Sequence, residues 1–303
     1  MASDATVLEQ FSVHPEISRG QRFRHSFFDF IRHKPLGAVC GAFVVLLIII
    51  ALFPSLFATA SPTVGFIPDR YQGPSWSHFF GTDDLGRDLY SRIIYGARTS
   101  ILIGFGVVAL STGIATVLGT ASGYFEGWID TLVQRIIDIG IALPGLVFVI
   151  LFVTSVQQIP LVFRIIISVG FLIAMGNTRI IRGAAIAAKA NQYVEAARVV
   201  GASDSRIIFR HVLPNVFAII LVTASIQIGA AIIIEASLSF LGFGVQPPTP
   251  DWGYMITAAQ DRLVQYPHLA IFPGLAIFFT VYCFNMFGDA LRDVLDPRLR
   301  GAR

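Results

Sequence analysis

Charge is scarce in this chain. Lys and Arg number 22 and Asp and Glu 19, so charged residues make up 14% of 303, against about 25% in soluble globular chains. The shortage excludes an intrinsically disordered chain, which needs low hydrophobicity and abundant charge, and it argues against a soluble enzyme with one apolar core. The formal net charge is only +3, with the cations spread along the sequence, so no nucleic-acid footprint is present. Cysteine is nearly absent. Cys40 and Cys283 both sit inside apolar runs, which offers neither a disulfide framework nor metal-ligand spacing; both read as small apolar residues facing core or lipid. Lysine occurs only at positions 34 and 189. No Gly-x-x-x-x-Gly-Lys-Ser/Thr run exists, so the chain has no phosphate loop of its own. Neither a bound cofactor nor a catalytic residue is expected.

What is abundant is apolar length. Hydrophobic residues make up 54% of the chain and the mean hydropathy is +0.70. A helix needs about 20 mostly apolar residues to cross a bilayer core. Leu36 to Ala60, Thr99 to Phe125, Val212 to Ile234 and His268 to Gly288 all meet that length. The run Ile139 to Phe163 is interrupted by Gln157-Gln158-Ile159-Pro160, which reads as a turn. It therefore divides into a helix from about Arg135 to Ser155 and another from about Leu161 to Thr178. The expectation is an all-α, polytopic membrane protein with six spans. It divides into an N-terminal arm (1–35), a first span with an external loop (36–98), a five-helix core (99–291) and a C-terminal tail (292–303). The first 35 residues are polar and mixed, so a cleavable signal peptide is not expected, nor is a lipid anchor.

Lys and Arg in the loops set the orientation. With the N-terminus in the cytoplasm, 16 of the 22 cations fall inside and 6 outside. The inside set includes Arg19, Arg22, Arg24, Arg32, Lys34, Arg179, Arg182, Arg298, Arg300 and Arg303. Both termini are thus expected in the cytoplasm. Trp76, Trp128 and Trp252 lie near span ends and suit an aromatic belt. Small residues, such as Gly104, Gly106, Gly113 and Gly119 in the second span, suit close helix packing. Gly140 and Gly145 flank Pro144 in the third. Asp138 and Glu235 are ionisable groups inside apolar runs, and so are candidates for a substrate path.

The stretch from Arg179 to Pro214 is polar and is expected on the cytoplasmic side. Asn191 is a suitable N-cap and residues 192–200 suit a short helix. Gly201 is a natural C′ residue. Ser203 can cap a second short helix from Asp204 to about His211, with Pro214 opening the fifth span. Val194, Ala197 and Val200 recur at three-residue spacing, a small apolar face suited to a groove in a partner.

The run Glu195-Ala196-Ala197, three residues, Gly201, nine residues, His211, one residue, Leu213-Pro214 resembles the signature of importer-type ABC transporter permeases. His211 stands where the general signature has Ile, and Arg210-His211-Val212-Leu213-Pro214-Asn215 resembles the dipeptide/oligopeptide branch. Three further blocks agree in order: Phe80-Gly81-Thr82-Asp83-Asp84-Leu85-Gly86-Arg87-Asp88, Glu235-Ala236-Ser237-Leu238-Ser239-Phe240-Leu241-Gly242, and Asp289 to Asp293 followed by Asp296-Pro297-Arg298. They resemble the second permease subunit of dipeptide, oligopeptide and nickel importers.

The resemblance implies a type I importer permease fold in a bacterial cytoplasmic membrane, in contact with lipid. It implies a non-catalytic subunit that pairs with a homologous, non-identical permease. Two ATPase subunits would carry the ATP and magnesium, and an external binding protein would deliver substrate. The residues implied in ATPase coupling are Tyr193, Val194, Glu195, Ala196, Ala197, Gly201, Ala202, Ser203, Arg206, His211, Leu213 and Pro214. Dipeptides or oligopeptides are the implied cargo; nickel chelates, antimicrobial peptides and other small solutes also occur in the family. A secondary carrier is the rival class, but no internal repeat and no central charge pair supports it.

Overall fold

The computed structural model describes residue 32 and residues 34–295. The arm residues Arg19, Arg22 and Arg24, the block Asp296-Pro297-Arg298, and Arg300 and Arg303 lie outside the described residues. Helices make the architecture; among the described residues the only β feature is an isolated bridge between Thr82 and Asp88.

Helix α1 spans Pro35–Leu52 and is followed by a short turn of helix, α2, at Pro54–Phe57. The first span was expected to reach Ala60. It stops at Leu52 because Pro54 has no amide to donate and drives Phe53 out of the helical region, to φ −126° and ψ 53°. Helix α3 runs over Leu89–Phe125, ten residues earlier than expected. Asp88 caps it by accepting from the Ser91 amide at 2.8 Å. The chain leaves α3 through two left-handed residues, Glu126 (φ 55°) and Gly127 (φ 59°).

The expected third span is broken. Helix α4 (Gly127–Ala142) and helix α5 (Gly145–Ser155) meet at 89°, with Pro144 at the break. Helix α6 follows at Leu161–Lys189, continuing eleven residues past the expected Thr178. Arg164 fastens the α5–α6 turn by donating to Val153 O at 2.7 Å and Ile159 O at 2.9 Å.

Helix directions settle the number of crossings. Gly106 lies against Ile166, Gly119 against Thr178 and Ile181, and Gly123 against Arg182 and Ala185. Both residue numbers rise together, so α3 and α6 are parallel. The segment joining the end of α3 to the start of α6 must then travel back across the bundle, and the bent α4–α5 pair does so. Among the described residues, five helices are long and apolar enough to span, and the bent pair makes the sixth. The approach of α3 to α6 is close enough to require glycine: a Cβ at Gly119 would stand 2.8 Å from Thr178 O.

Helix α7 (Gln192–Val199) and the short helix α8 (Asp204–Ile207) follow. Helix α9 (Leu213–Phe240) then runs antiparallel to α3, with Gly104 facing Ile228 and Ile232. Helix α10 (Trp252–Ala259) caps the far end of the bundle, and helix α11 (His268–Leu295) completes it. Helix α11 is antiparallel to α9 and to α1: Gly288 meets Ser225 and Ile226, and Gly41 meets Phe287. The Lys34–Asp293 ion pair joins the start of α1 to the last turn of α11.

One belt expectation is overturned. Trp76 is 95% exposed, but Trp252 is buried, wedged on Gly96 with its Nε1 donating to Ile93 O at 2.9 Å. It is a core anchor for α10, not an interfacial ring.

Candidate functional site

The end of the bundle that holds Lys34 and Asp293 also holds residues 191–214, because α9 starts where α11 ends. Helix α6 terminates at Lys189. Asn191 does not cap α7 as expected. Its Nδ2 instead donates back to Ala187 O at 3.1 Å and Ala188 O at 2.9 Å, closing α6.

Helix α7 ends as the sequence implies. The Ala202 amide donates to Ala197 O at 3.0 Å and the Gly201 amide to Arg198 O at 3.0 Å, with Gly201 at φ +84°. This is the paired 6→1 and 5→2 arrangement of a Schellman turn. Among the described residues, no atom lies within 4 Å of a Cβ built on Gly201. Backbone handedness, not crowding, fixes glycine there.

The second short helix differs from expectation. Ser203 makes no capping bond; its Oγ lies 3.3 Å from Ser205 Oγ. Helix α8 does not end before the fifth span either. A π-type turn at Ile208–Val212 carries it into α9, so Asp204–Phe240 forms one 37-residue rod. Pro214 explains the wide turn: it has no amide to return to the preceding helix. Asn215 Nδ2 donates to His211 O at 2.6 Å. At about 1.5 Å per residue the rod is roughly 55 Å long, well beyond the ~30 Å apolar core of a bilayer.

The expected apolar docking face is not one face. Val194 is buried in a cluster with Ala115, Tyr124, Ile181, Ile207 and Val212. Val200 is 88% exposed. At about 100° per residue, position i+6 sits roughly 120° round the helix from position i. The surface apolar groups are instead Val199 (84% exposed), Val200 and Phe209 (72% exposed). Tyr193, Glu195, Ala196, Gly201, Ser203, Arg206 and Pro214 are also exposed, and Ala197, Ala202, His211 and Leu213 partly so. The Tyr193 ring lies 6.1 Å from that of His211.

Sequence reasoning missed the residue that ties this segment to the bundle. Tyr124, in the last turn of α3, donates its hydroxyl to Asp204 Oδ1 at 2.6 Å. Lys189 Nζ stands 5.6 Å over the Tyr124 ring and 3.0 Å from Glu126. A cleft of about 240 Å³ lies here, lined by Glu126, Lys189, Asn191, Val194, Glu195 and Arg198 among others. The available signal was a phenol at the end of an apolar run.

The two substrate-path candidates part company. Asp138 is exposed on α4, paired with Arg179 of α6 and 3.7 Å from Arg135. Glu235 is 1% exposed near the opposite end of α9. The structure does not bring them together.

Residues 115–301 match the family described as "Binding-protein-dependent transport system inner membrane component". The chain belongs to that family. The permease is 41% identical over 278 residues to the glutathione transport system permease protein GsiD of Escherichia coli O6:K15:H31 (strain 536 / UPEC), covering 91% of each chain. It has the same identity and coverage against GsiD of Shigella boydii serotype 4 (strain Sb227). A solved amino acid ABC transporter with histidines superposes with a TM-score of 0.51 at 17% identity, over 65% of this chain and 91% of that one; this likeness supports the fold. The permease is therefore a multi-pass inner-membrane subunit of an ABC importer, working with other transporter subunits.

Proposed function

We propose that this permease forms, with a homologous but non-identical permease, the pathway of an ATP-driven importer for dipeptides, oligopeptides or a glutathione-like tripeptide. Two ATPase subunits carrying ATP and magnesium grip residues 191–214 from the cytoplasm, and an external binding protein supplies the cargo. The similarity to permeases named for glutathione transport supports a peptide-type substrate.

One observation carries the coupling role. A left-handed glycine turn, bearing exposed Val199 and Val200, sits at the tip of a rod that continues through the whole bundle. Apolar side chains this exposed, at the polar end of a membrane protein, suit burial in a partner. Movement at the tip transmits along α9 without an intervening hinge.

The test has two parts. Val200→Cys is expected to react with a membrane-impermeant maleimide only when the cytoplasmic face is open. The detergent-extracted wild type is expected to bring down an ATPase that is lost when Val199 and Val200 are both replaced by Asp. Labelling from outside intact cells would place the segment on the wrong side and end the reading.

A further inference from the structure

At the end of the bundle opposite Gly201, α10 is locked onto α3 and α9. A Cβ on Gly253 would stand 2.6 Å from Ala236 O. Thr99 Oγ1 donates to Pro250 O at 3.0 Å, and Thr257 Oγ1 to Phe240 O at 3.1 Å. Two acids are sealed in this contact, Glu235 of α9 and Asp251 at the cap of α10, with 1% and 0% exposure.

Each carboxyl has one satisfied oxygen and one bare oxygen. Glu235 Oε1 accepts from Ser239 Oγ at 2.9 Å, and Asp251 Oδ1 accepts from the Tyr254 amide at 2.8 Å. Among the described residues, Glu235 Oε2 and Asp251 Oδ2 receive no N–H or O–H. Gly253, two residues past Asp251, packs on Ala236, the neighbour of Glu235, so both buried carboxyls belong to the same α9–α10 contact. Neither has an ion-pair partner among the described residues. Arg92, the buried cation of α3, is held by Pro62 O at 2.8 Å and Asp83 at 3.4 Å. Ser100 lies one turn outward from Gly104, which packs on Ile232; this register sets its buried, unpartnered hydroxyl at the level of Glu235.

We propose that Glu235 and Asp251 share one proton, forming an acid pair that fastens α10 to the outer end of α9. Two bare carboxylates buried in one helix contact, with no ion-pair partner among the described residues, repel and are poorly solvated. One proton, taken up from water, removes one charge and turns the two facing acceptors into an O–H···O⁻ bond, a short and strong class. Glu235 and Asp251 act as positioning residues: they make α10 and the loop before it move with the rod. That last consequence rests on the proposed coupling role of residues 191–214; the shared proton does not.

Infrared spectroscopy on the assembled transporter in lipid bilayers, with ¹³C-labelled glutamate and aspartate, tests the proton directly. A protonated carboxyl band that shifts in D₂O is expected in the wild type and is lost in E235Q, whose amide donates to Asp251 in place of the proton. E235Q is expected to keep α10 amide exchange and uptake within about twofold of wild type, whereas E235A, leaving Asp251 unpaired, speeds exchange over 252–259 by about tenfold. No protonated band in the wild type, its survival in both E235Q and D251N, or unchanged exchange in E235A would overturn the pair. Normal coupling of hydrolysis to uptake in a Gly201 variant, with the band and exchange as expected, would overturn the coupling role and leave the pair standing.

Discussion

Single residues hold the coupling segment in place, and Tyr124 is the clearest. Its hydroxyl joins the end of α3 to Asp204, just past the glycine turn. Tyr124→Phe keeps the buried ring and removes only that hydrogen bond. It is expected to destabilise the local fold by about 1 kcal/mol, read as faster amide exchange over residues 198–207 with insertion unchanged. Unaltered exchange would remove Tyr124 from the account. At the other end, Asp88 holds the block before α3. Burial works against its carboxylate, but hydrogen bonds from Ser91, His78 and Thr59 outweigh burial and keep it below its ordinary value of 3.8. A folded-state value below the unfolded one means this contribution is complete above the unfolded value and fades as pH falls through the folded value. Limited digestion with an acid protease is expected to open the 80–92 segment increasingly below about pH 4, and Asp88→Asn is expected to flatten that dependence. An unchanged pH profile in the variant would contradict it.

The helices were legible where the signal was apolar length and illegible where it was pairing at a distance. All six crossings follow from runs long enough to span. Their ends do not. Arg179 and Arg182 looked like loop cations because nothing within a few residues neutralises them. In the structure they stay on α6, paired with Asp138 and Asp130 of α4, 41 and 52 positions earlier in the chain. Asp88 and Asp251 are both local caps that a sequence can show, but a block already full of carboxylates hid the first and a proline-rich loop hid the second. Gly201 was legible because its requirement is local handedness; Val194 was not, because which side of a two-turn helix is buried depends on α3 and α6. The α3–α6 contact offers a test at this scale. Gly119→Leu forces a side chain onto the Thr178 carbonyl and is expected to cost roughly 1–3 kcal/mol or more, seen as loss of the folded subunit from the membrane. Wild-type levels would mean the two helices can separate.

For the molecule as a whole, six crossings put both ends of the bundle's chain on one face, and the 191–214 segment shares it. The opposite face carries the capped block before α3 and the docked α10. Between the faces runs α9, continuous from Asp204 to Phe240. On the proposed coupling role, the glycine turn is a handle at the tip of a rod whose far end meets α10.

The handle itself gives the most direct test. Replacing Gly201 by Val places a β-branched residue at φ +84°, where even an ordinary L-residue costs about 1–2 kcal/mol. Asn tolerates that region, so Gly201→Asn serves as the control. With each variant assembled in proteoliposomes, uptake per ATP hydrolysed is the quantity to measure. The account predicts that Gly201→Val inserts and assembles but loses most uptake per ATP, while Gly201→Asn retains it. Equal uptake per ATP in Gly201→Val and wild type would show that ATP hydrolysis does not act through this turn.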